Sequence, residues 1–223
     1  MSIQQRYLEC LEEISTLCKQ HHRDPKQVQL VAVSKYHPVS ALQEAYGAGC
    51  RLFGESRIQE FEEKMSFLPD DTQWHLIGSL QRKKVPKIVG SFHLIHSVDS
   101  LELAQKISTC SQERACKTSL LLQVNTSGEE SKRGCNSEAA QKLAEQVHAL
   151  PHVSIQGLMT MAPLTDDKRT IHLCFSTLRM VKEQIEADLG VSLPHLSMGM
   201  SNDYSIAIAE GATLLRIGSR IFG

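Results

Sequence analysis

Three short stretches carry the residue types that could do chemistry. The run LVAVSKYHP, residues 30–38, ends an apolar segment on one lysine, Lys35. Far along the chain lie SMGMSND (197–203) and RIGS (216–219). A partly desolvated lysine loses its proton more readily and becomes a nucleophile for carbonyls. Taken alone, Lys35 is equally readable as a surface lysine just past a strand. In SMGMSND, Gly199 permits a tight turn and Ser201 supplies a hydroxyl. A helix beginning near Asn202 would aim free amides at an anion. In RIGS, Gly218 and Ser219 offer backbone amides and a second hydroxyl. Both stretches read as phosphate loops.

These residues need elements to position them. A short apolar run such as Leu30–Val33 reads as a strand buried on both faces, as in a parallel sheet. Apolar spacing from Ile3 to Leu17 predicts a leading helix over 3–21. Further strands are predicted at 28–33, 51–54, 73–77, 92–97, 118–124, 153–158, 195–197 and 213–217. Helices are predicted between them at 40–48, 57–67, 80–89, 99–112, 137–149, 166–189 and 201–210. Asp99 and Ser137 serve as the expected caps of two of these, and Asn125–Arg133 is an expected loop. Eight strand–helix alternations predict an α/β fold, a single (β/α)8 barrel of the TIM type with an extra N-terminal helix. A doubly wound open sheet is the alternative. No linker or composition break divides residues 1–223, so one domain is expected. In such a barrel ligands bind at the carboxyl ends of the strands, and loops seven and eight recur as the phosphate site.

Composition excludes several classes. The 223 residues carry a net charge of −1, with 22% charged and 41% hydrophobic residues. That is no electrostatic footprint for nucleic acid or an anionic membrane. No apolar run is long enough to span a membrane, and the charged N-terminus is not a signal peptide. The seven cysteines are scattered without CxxC or zinc-finger spacing, which predicts free thiols, no metal and a cytoplasmic location.

A Schiff-base lysine and a phosphate site across the same barrel mouth suit an aldehyde phosphate, and pyridoxal 5′-phosphate is the candidate. Arg216 would then face the pyridine ring. An always-charged guanidinium disfavours protonation of the ring nitrogen and leaves a poorer electron sink. The other reading of Arg216 is a structural ion pair at the barrel rim.

The motifs VAVSKYHP, FGESRIQE, WHLIGSLQRK, GLMTMAP, LSMGMSNDY and RIGSRIFG together resemble the pyridoxal phosphate homeostasis proteins, single-barrel relatives of the alanine racemase barrel domain. The resemblance runs from the first strand to Gly223. It implies a fold type III barrel holding pyridoxal 5′-phosphate as a covalent aldimine on Lys35. It implies Ser201, Gly218 and Ser219 as phosphate ligands with the Met200 backbone nearby, and Arg216 facing the pyridine nitrogen. It further implies a role in intracellular vitamin B6 homeostasis without robust turnover, with no catalytic residues as such. Other B6 vitamers and transient cofactor-accepting enzymes would be partners of a chain expected to be monomeric. The alternative is an amino-acid racemase or related enzyme acting on the barrel alone. A phosphate-sugar aldolase is disfavoured, because its lysine usually sits on a later strand. Ser56 and Lys83 stand where the family usually has Asn. Many members also continue a few residues past the equivalent of Gly223, so the last strand is expected to be less firmly anchored.

Several residues have quieter readings. The four cations Arg82, Lys83, Lys84 and Lys87 read as a solvated helix face, or as a landing patch for a phosphorylated ligand or acidic partner. His75 and His96 fall within or at the ends of strands, and His75 reads as a satisfied core or rim histidine in preference to a catalytic base. Met159, Met161, Met198 and Met200 read as soft packing around a ring. Glu55 is expected to pair with Arg216 or a nearby lysine, and Cys50 and Cys174 to be buried small hydrophobes.

Overall fold

A computed structural model describes residues 1–129 and 132–223. The helix α1 (Ile3–Gln20) leads, with Ser2 and Gln5 forming a reciprocal capping box. Then follow β1 (Gln29–Val33), α2 (Val39–Gly47), β2 (Leu52–Glu55), α3 (Ile58–Lys64), β3 (Gln73–Leu76), α4 (Val85–Ile88), β4 (Leu94–Val98) and α5 (Leu101–Glu113). The second half runs β5 (Thr118–Asn125), β6 (Cys135–Asn136), α6 (Ser137–His148), β7 (Val153–Met159), α7 (Lys168–Leu189), β8 (His195–Ser197), α8 (Tyr204–Ala209), β9 (Leu214–Ile217) and α9 (Ser219–Phe222).

Every pairing is parallel, in the order β4-β3-β2-β1-β9-β8-β7-β5, and β4 also pairs with β5. The eight strands therefore close into a barrel, which rules out the open sheet. The short β6 adds to the edge of β5 within the segment expected to be a loop. Residues 130 and 131 of that segment lie outside the described residues.

Two apolar cores follow from closure. The larger fills the space between strands and helices. The smaller, Val31, Leu94, Leu121, Met159 and Leu214, is an apolar layer inside the barrel. It comes from inward positions of β1, β4, β5, β7 and β9, because side chains alternate between the faces of a strand. One interior contact depends on glycine. Where β5 meets β7, Leu120 pairs with Ile155 and Leu121 with Gly157, so β7 carries an extra residue. Gly157 takes φ 150° there, and a Cβ would run into the His195 carbonyl oxygen.

The caps differ from expectation. Ser100, not Asp99, is the N-cap of α5, without a side-chain hydrogen bond. Asn136, not Ser137, caps α6 by accepting from the Ala139 N–H. Caps depend on backbone angles that neighbouring cap-type residues share out only in the folded chain. The helix expected from Ser201 begins at Tyr204, and the segment over 80–89 is a 3-10 turn followed by the single turn α4. The last strand is firmly seated. β9 bonds to β1 and β8, and Arg6 Nε on α1 donates to the Ile221 carbonyl at 2.7 Å. The seven cysteines are free thiols, with Cys50 and Cys174 buried. Among the described residues no helix is long and apolar enough to cross a membrane, and no side-chain cluster could hold a metal ion.

Candidate functional site at the barrel mouth

Lys35 sits in a turn two residues past the end of β1. Its side chain is exposed rather than partly desolvated, with Nζ 5.8 Å from the centre of the Tyr36 ring. Tyr36 is left-handed, with φ 69°. A non-glycine residue holds that conformation only when its surroundings over-determine it. Here the Tyr36 N–H donates to Glu60 Oε2 at 2.7 Å. Lys64 Nζ donates to the Ser34 carbonyl at 2.9 Å, to Glu55 Oε1 at 2.7 Å and to Glu60 Oε2 at 3.2 Å. The Ser34 hydroxyl donates to the same Glu55 oxygen at 2.7 Å. Both Glu55 and Lys64 are buried. Burial pushes the Glu55 carboxyl above its usual range, against the hydrogen bonds from Lys64 and Ser34. For Glu60 burial also pushes upward, but the Tyr36 N–H and Lys64 outweigh it and leave its carboxyl low. Glu55 thus pairs with a lysine, as one of its two expected readings had it, and not with Arg216.

The two phosphate-loop candidates meet. Ser219 Oγ donates to Ser201 Oγ at 3.0 Å, and the Arg216 N–H donates to the Gly199 carbonyl at 3.0 Å. The backbone N–H groups of Ser201 and Ser219 have no acceptor among the described residues. Gly199 is left-handed at φ 93°, where a Cβ would lie 2.6 Å from that of Ala207. A Cβ on Gly218 would come 3.0 Å from the Val33 carbonyl oxygen, so this glycine lets β9 lie against the end of β1. Two converging hydroxyls with unpaired amides fit an anionic oxygen cluster. The Met200 amide is already engaged, donating to Asp203 Oδ1 at 2.5 Å. That bond, with the Asp203 N–H donating to the Met200 carbonyl, builds a turn and delays the helix to Tyr204. Burial raises the Asp203 carboxyl above its ordinary range.

These loops do not lie across the mouth from Lys35. β1 pairs directly with β9, with Val31 opposite Arg216 and Ala32 opposite Ile217. Lys35, Gly218 and Ser219 therefore follow neighbouring strands, and Ser201 follows the next one round.

Arg216 points into the barrel and is 5% exposed. It forms no ion pair among the described residues. One Nη donates to Ser197 Oγ at 2.6 Å and the other to the Thr160 carbonyl at 2.8 Å. Burial pushes its guanidinium down to about 10, still charged at neutral pH. Behind Ser197, His96 Nδ1 lies 2.9 Å from its hydroxyl, and His96 Nε2 lies 2.9 Å from His75 Nδ1. Both rings are buried.

Sequence reasoning expected Lys35, Ser201, Arg216, Gly218 and Ser219 at one end of the barrel; Lys35, Ser201, Gly218 and Ser219 lie just past the ends of β1, β8 and β9, and Arg216 lies on β9. It missed Glu60 and Lys64, whose four-residue spacing on one helix beside Glu55 was the available signal. It read His75 as a satisfied core or rim histidine; the ring is buried, and its Nε2 has no partner among the described residues. Met159 and Met198 are buried, whereas Met200 is 37% exposed. Arg82 and Lys83 line an open surface hollow of about 500 Å³ with Glu102 and Lys106, consistent with the solvated reading.

Residues 11–223 match the family model described as alanine racemase, N-terminal domain. A pyridoxal phosphate homeostasis protein of Aquifex aeolicus is 39% identical over 228 residues, covering 100% of this chain and 98% of the relative. One of Schizosaccharomyces pombe is 40% identical over 217 residues, covering 96% and 91%. Among solved structures, PipY of Synechococcus elongatus PCC7942 with PLP bound superposes with a TM-score of 0.85 at 36% identity, covering 100% of both chains.

Proposed function

The chain belongs to the pyridoxal phosphate homeostasis protein family, and from that premise we propose that it binds pyridoxal 5′-phosphate and keeps the free cofactor in balance. The observation that carries this reading is the convergence of the Ser201 and Ser219 hydroxyls, with unpaired amides, after β8 and β9, the two strands next round the barrel from the β1 that delivers Lys35. Ser201, Gly218 and Ser219 would hold the phosphate. Lys35 Nζ would form a Schiff base with the aldehyde carbon, expelling water. Arg216 would face the ring nitrogen. When bound, the cofactor supplies a conjugated ring able to withdraw electrons.

The chain's own residues favour holding over turnover. A charged Arg216 without a carboxylate partner keeps the ring nitrogen from taking a proton, which weakens electron withdrawal. The Met200 side chain, at the edge of the mouth, would be a neighbour of the phosphate rather than a ligand. The same proposal places the protein in the cytoplasm as a single (β/α)8 domain acting as a monomer. Its partners are the cofactor, related B6 vitamers and, transiently, enzymes that accept the cofactor.

The test is spectroscopic. Incubated with pyridoxal 5′-phosphate, the protein should gain an absorbance band at about 420 nm, as a conjugated Schiff base does. Borohydride reduction should fix the label on the peptide containing Lys35. Lys35→Ala should fold normally and lose the band. A colourless wild-type protein, or a label on another lysine, overturns the reading.

A further inference from the structure

The barrel interior holds a hydrogen-bonded line of four side chains from four strands: Arg216 on β9, Ser197 on β8, His96 on β4 and His75 on β3. Its direction follows from chemistry. A guanidinium only donates, so Ser197 Oγ accepts from Arg216. If the Ser197 hydroxyl hydrogen goes to His96 Nδ1, the His96 proton sits on Nε2 and is donated to His75 Nδ1. The His75 proton then sits on Nε2, and that N–H is the line's only unpaired end among the described residues. Running the line the other way would strand two buried groups, the Ser197 hydroxyl hydrogen and His75 Nε2. Unpaired buried polar groups are costly, so the first direction wins. Burial, the neighbouring His93 and His195, and the charge of Arg216 keep both imidazoles neutral; His75 is pushed down to about 3.

We propose that Ser197, His96 and His75 are positioning residues for Arg216, with both histidines fixed as Nε2–H tautomers. The line gives the guanidinium an acceptor without a counter-charge. With the Thr160 carbonyl as the second acceptor, it fixes the guanidinium plane with no carboxylate bonded to it, Asp203 acting on the charge only through space. A carboxylate in Ser197's place would orient Arg216 equally well and cancel that charge. The use of the charge toward a cofactor ring rests on the function proposed above; the tautomers and the hold on Arg216 do not.

The test uses the full chain without added ligand. Long-range ¹H–¹⁵N NMR should show, for His75 and His96, a protonated Nε2 and an unprotonated Nδ1. A protonated Nδ1 on either ring overturns the proposal. The Arg216 Nη protons should exchange with water slowly in the wild type. In Ser197→Ala they should exchange roughly tenfold faster, the equivalent of one lost hydrogen bond, and Ser197→Thr should restore the slow rate. Unchanged exchange in Ser197→Ala also overturns the proposal. Should Ser197→Ala not fold, the wild-type tautomers decide. A protein with these tautomers but no absorbance band with pyridoxal 5′-phosphate would sink the proposed function and leave this inference standing.

Discussion

The Lys64 ammonium lies 2.9 Å from the carbonyl oxygen of Ser34, the residue immediately before Lys35. A buried lysine on α3 therefore ties down the backbone that presents an exposed one. The same ammonium meets Glu55 and Glu60, and Glu60 in turn holds the strained Tyr36. Lys35 is thus exposed at its tip and held at its root.

Removing Lys64 leaves Glu55 buried without its partner. Lys64→Met should lower unfolding free energy by about 3–5 kcal/mol, the usual cost of breaking a buried pair from one side. Adding Glu55→Gln should recover part of the loss. Urea denaturation measures both, and a Lys64→Met protein as stable as wild type would show that the pair is not buried in solution.

Stability should fall with acid below neutrality. The His75 pKa is lowered to about 3 in the folded chain and is near 6.5 when unfolded. The unfolded state therefore binds the extra proton first, and stability present above about 6.5 is lost progressively as pH falls toward 3. Between pH 7 and 5 His75 alone costs about 2 kcal/mol, and His96 shifts in the same direction. Thermal melts of wild type and His75→Gln across that range should converge at low pH. Parallel curves would contradict a buried neutral His75.

The two loop hydroxyls should matter for ligand and little for fold, since Ser219 is exposed and Ser201 half-buried. Ser201→Ala and Ser219→Ala should each weaken pyridoxal 5′-phosphate retention by roughly 10-fold or more, as loss of a hydrogen bond to a charged group does. Equilibrium dialysis checks this, and full retention in the double variant would move the phosphate elsewhere.

Gly157→Ala should cost more than any ordinary glycine replacement, because both φ and the His195 carbonyl forbid a side chain there. A loss of about 3 kcal/mol or more is expected, read as a drop in urea midpoint. Gly47→Ala, in open space at the end of α2, is the contrasting control and should be neutral or stabilising.

The strands were legible because parallel strands covered on both faces read as continuous apolar runs; Leu120–Leu122 and Val31–Val33 are plain in the sequence. The loop ligands were legible because glycine and serine mark close backbone approach. The line from Arg216 to His75 was not, since its members are scattered over the chain and meet only through closure. The role of Lys64 was only half legible: its four-residue spacing from Glu60 marks a helical pair, but its burial against Glu55 and the Ser34 carbonyl appears only in the folded chain. Placing the loops across the mouth from Lys35 treated the barrel as having opposite walls, whereas closure makes the first strand and the last neighbours.

That pairing of β1 with β9 has a kinetic consequence. Among the strand pairings of the barrel it joins the segments farthest apart in sequence, so closing it costs the largest loop entropy and contributes heavily to contact order. During refolding, recovery of the 420 nm band should lag behind the far-ultraviolet signal of the helices. Cofactor capture would then report ring closure, and an incompletely folded chain would leave the reactive aldehyde alone.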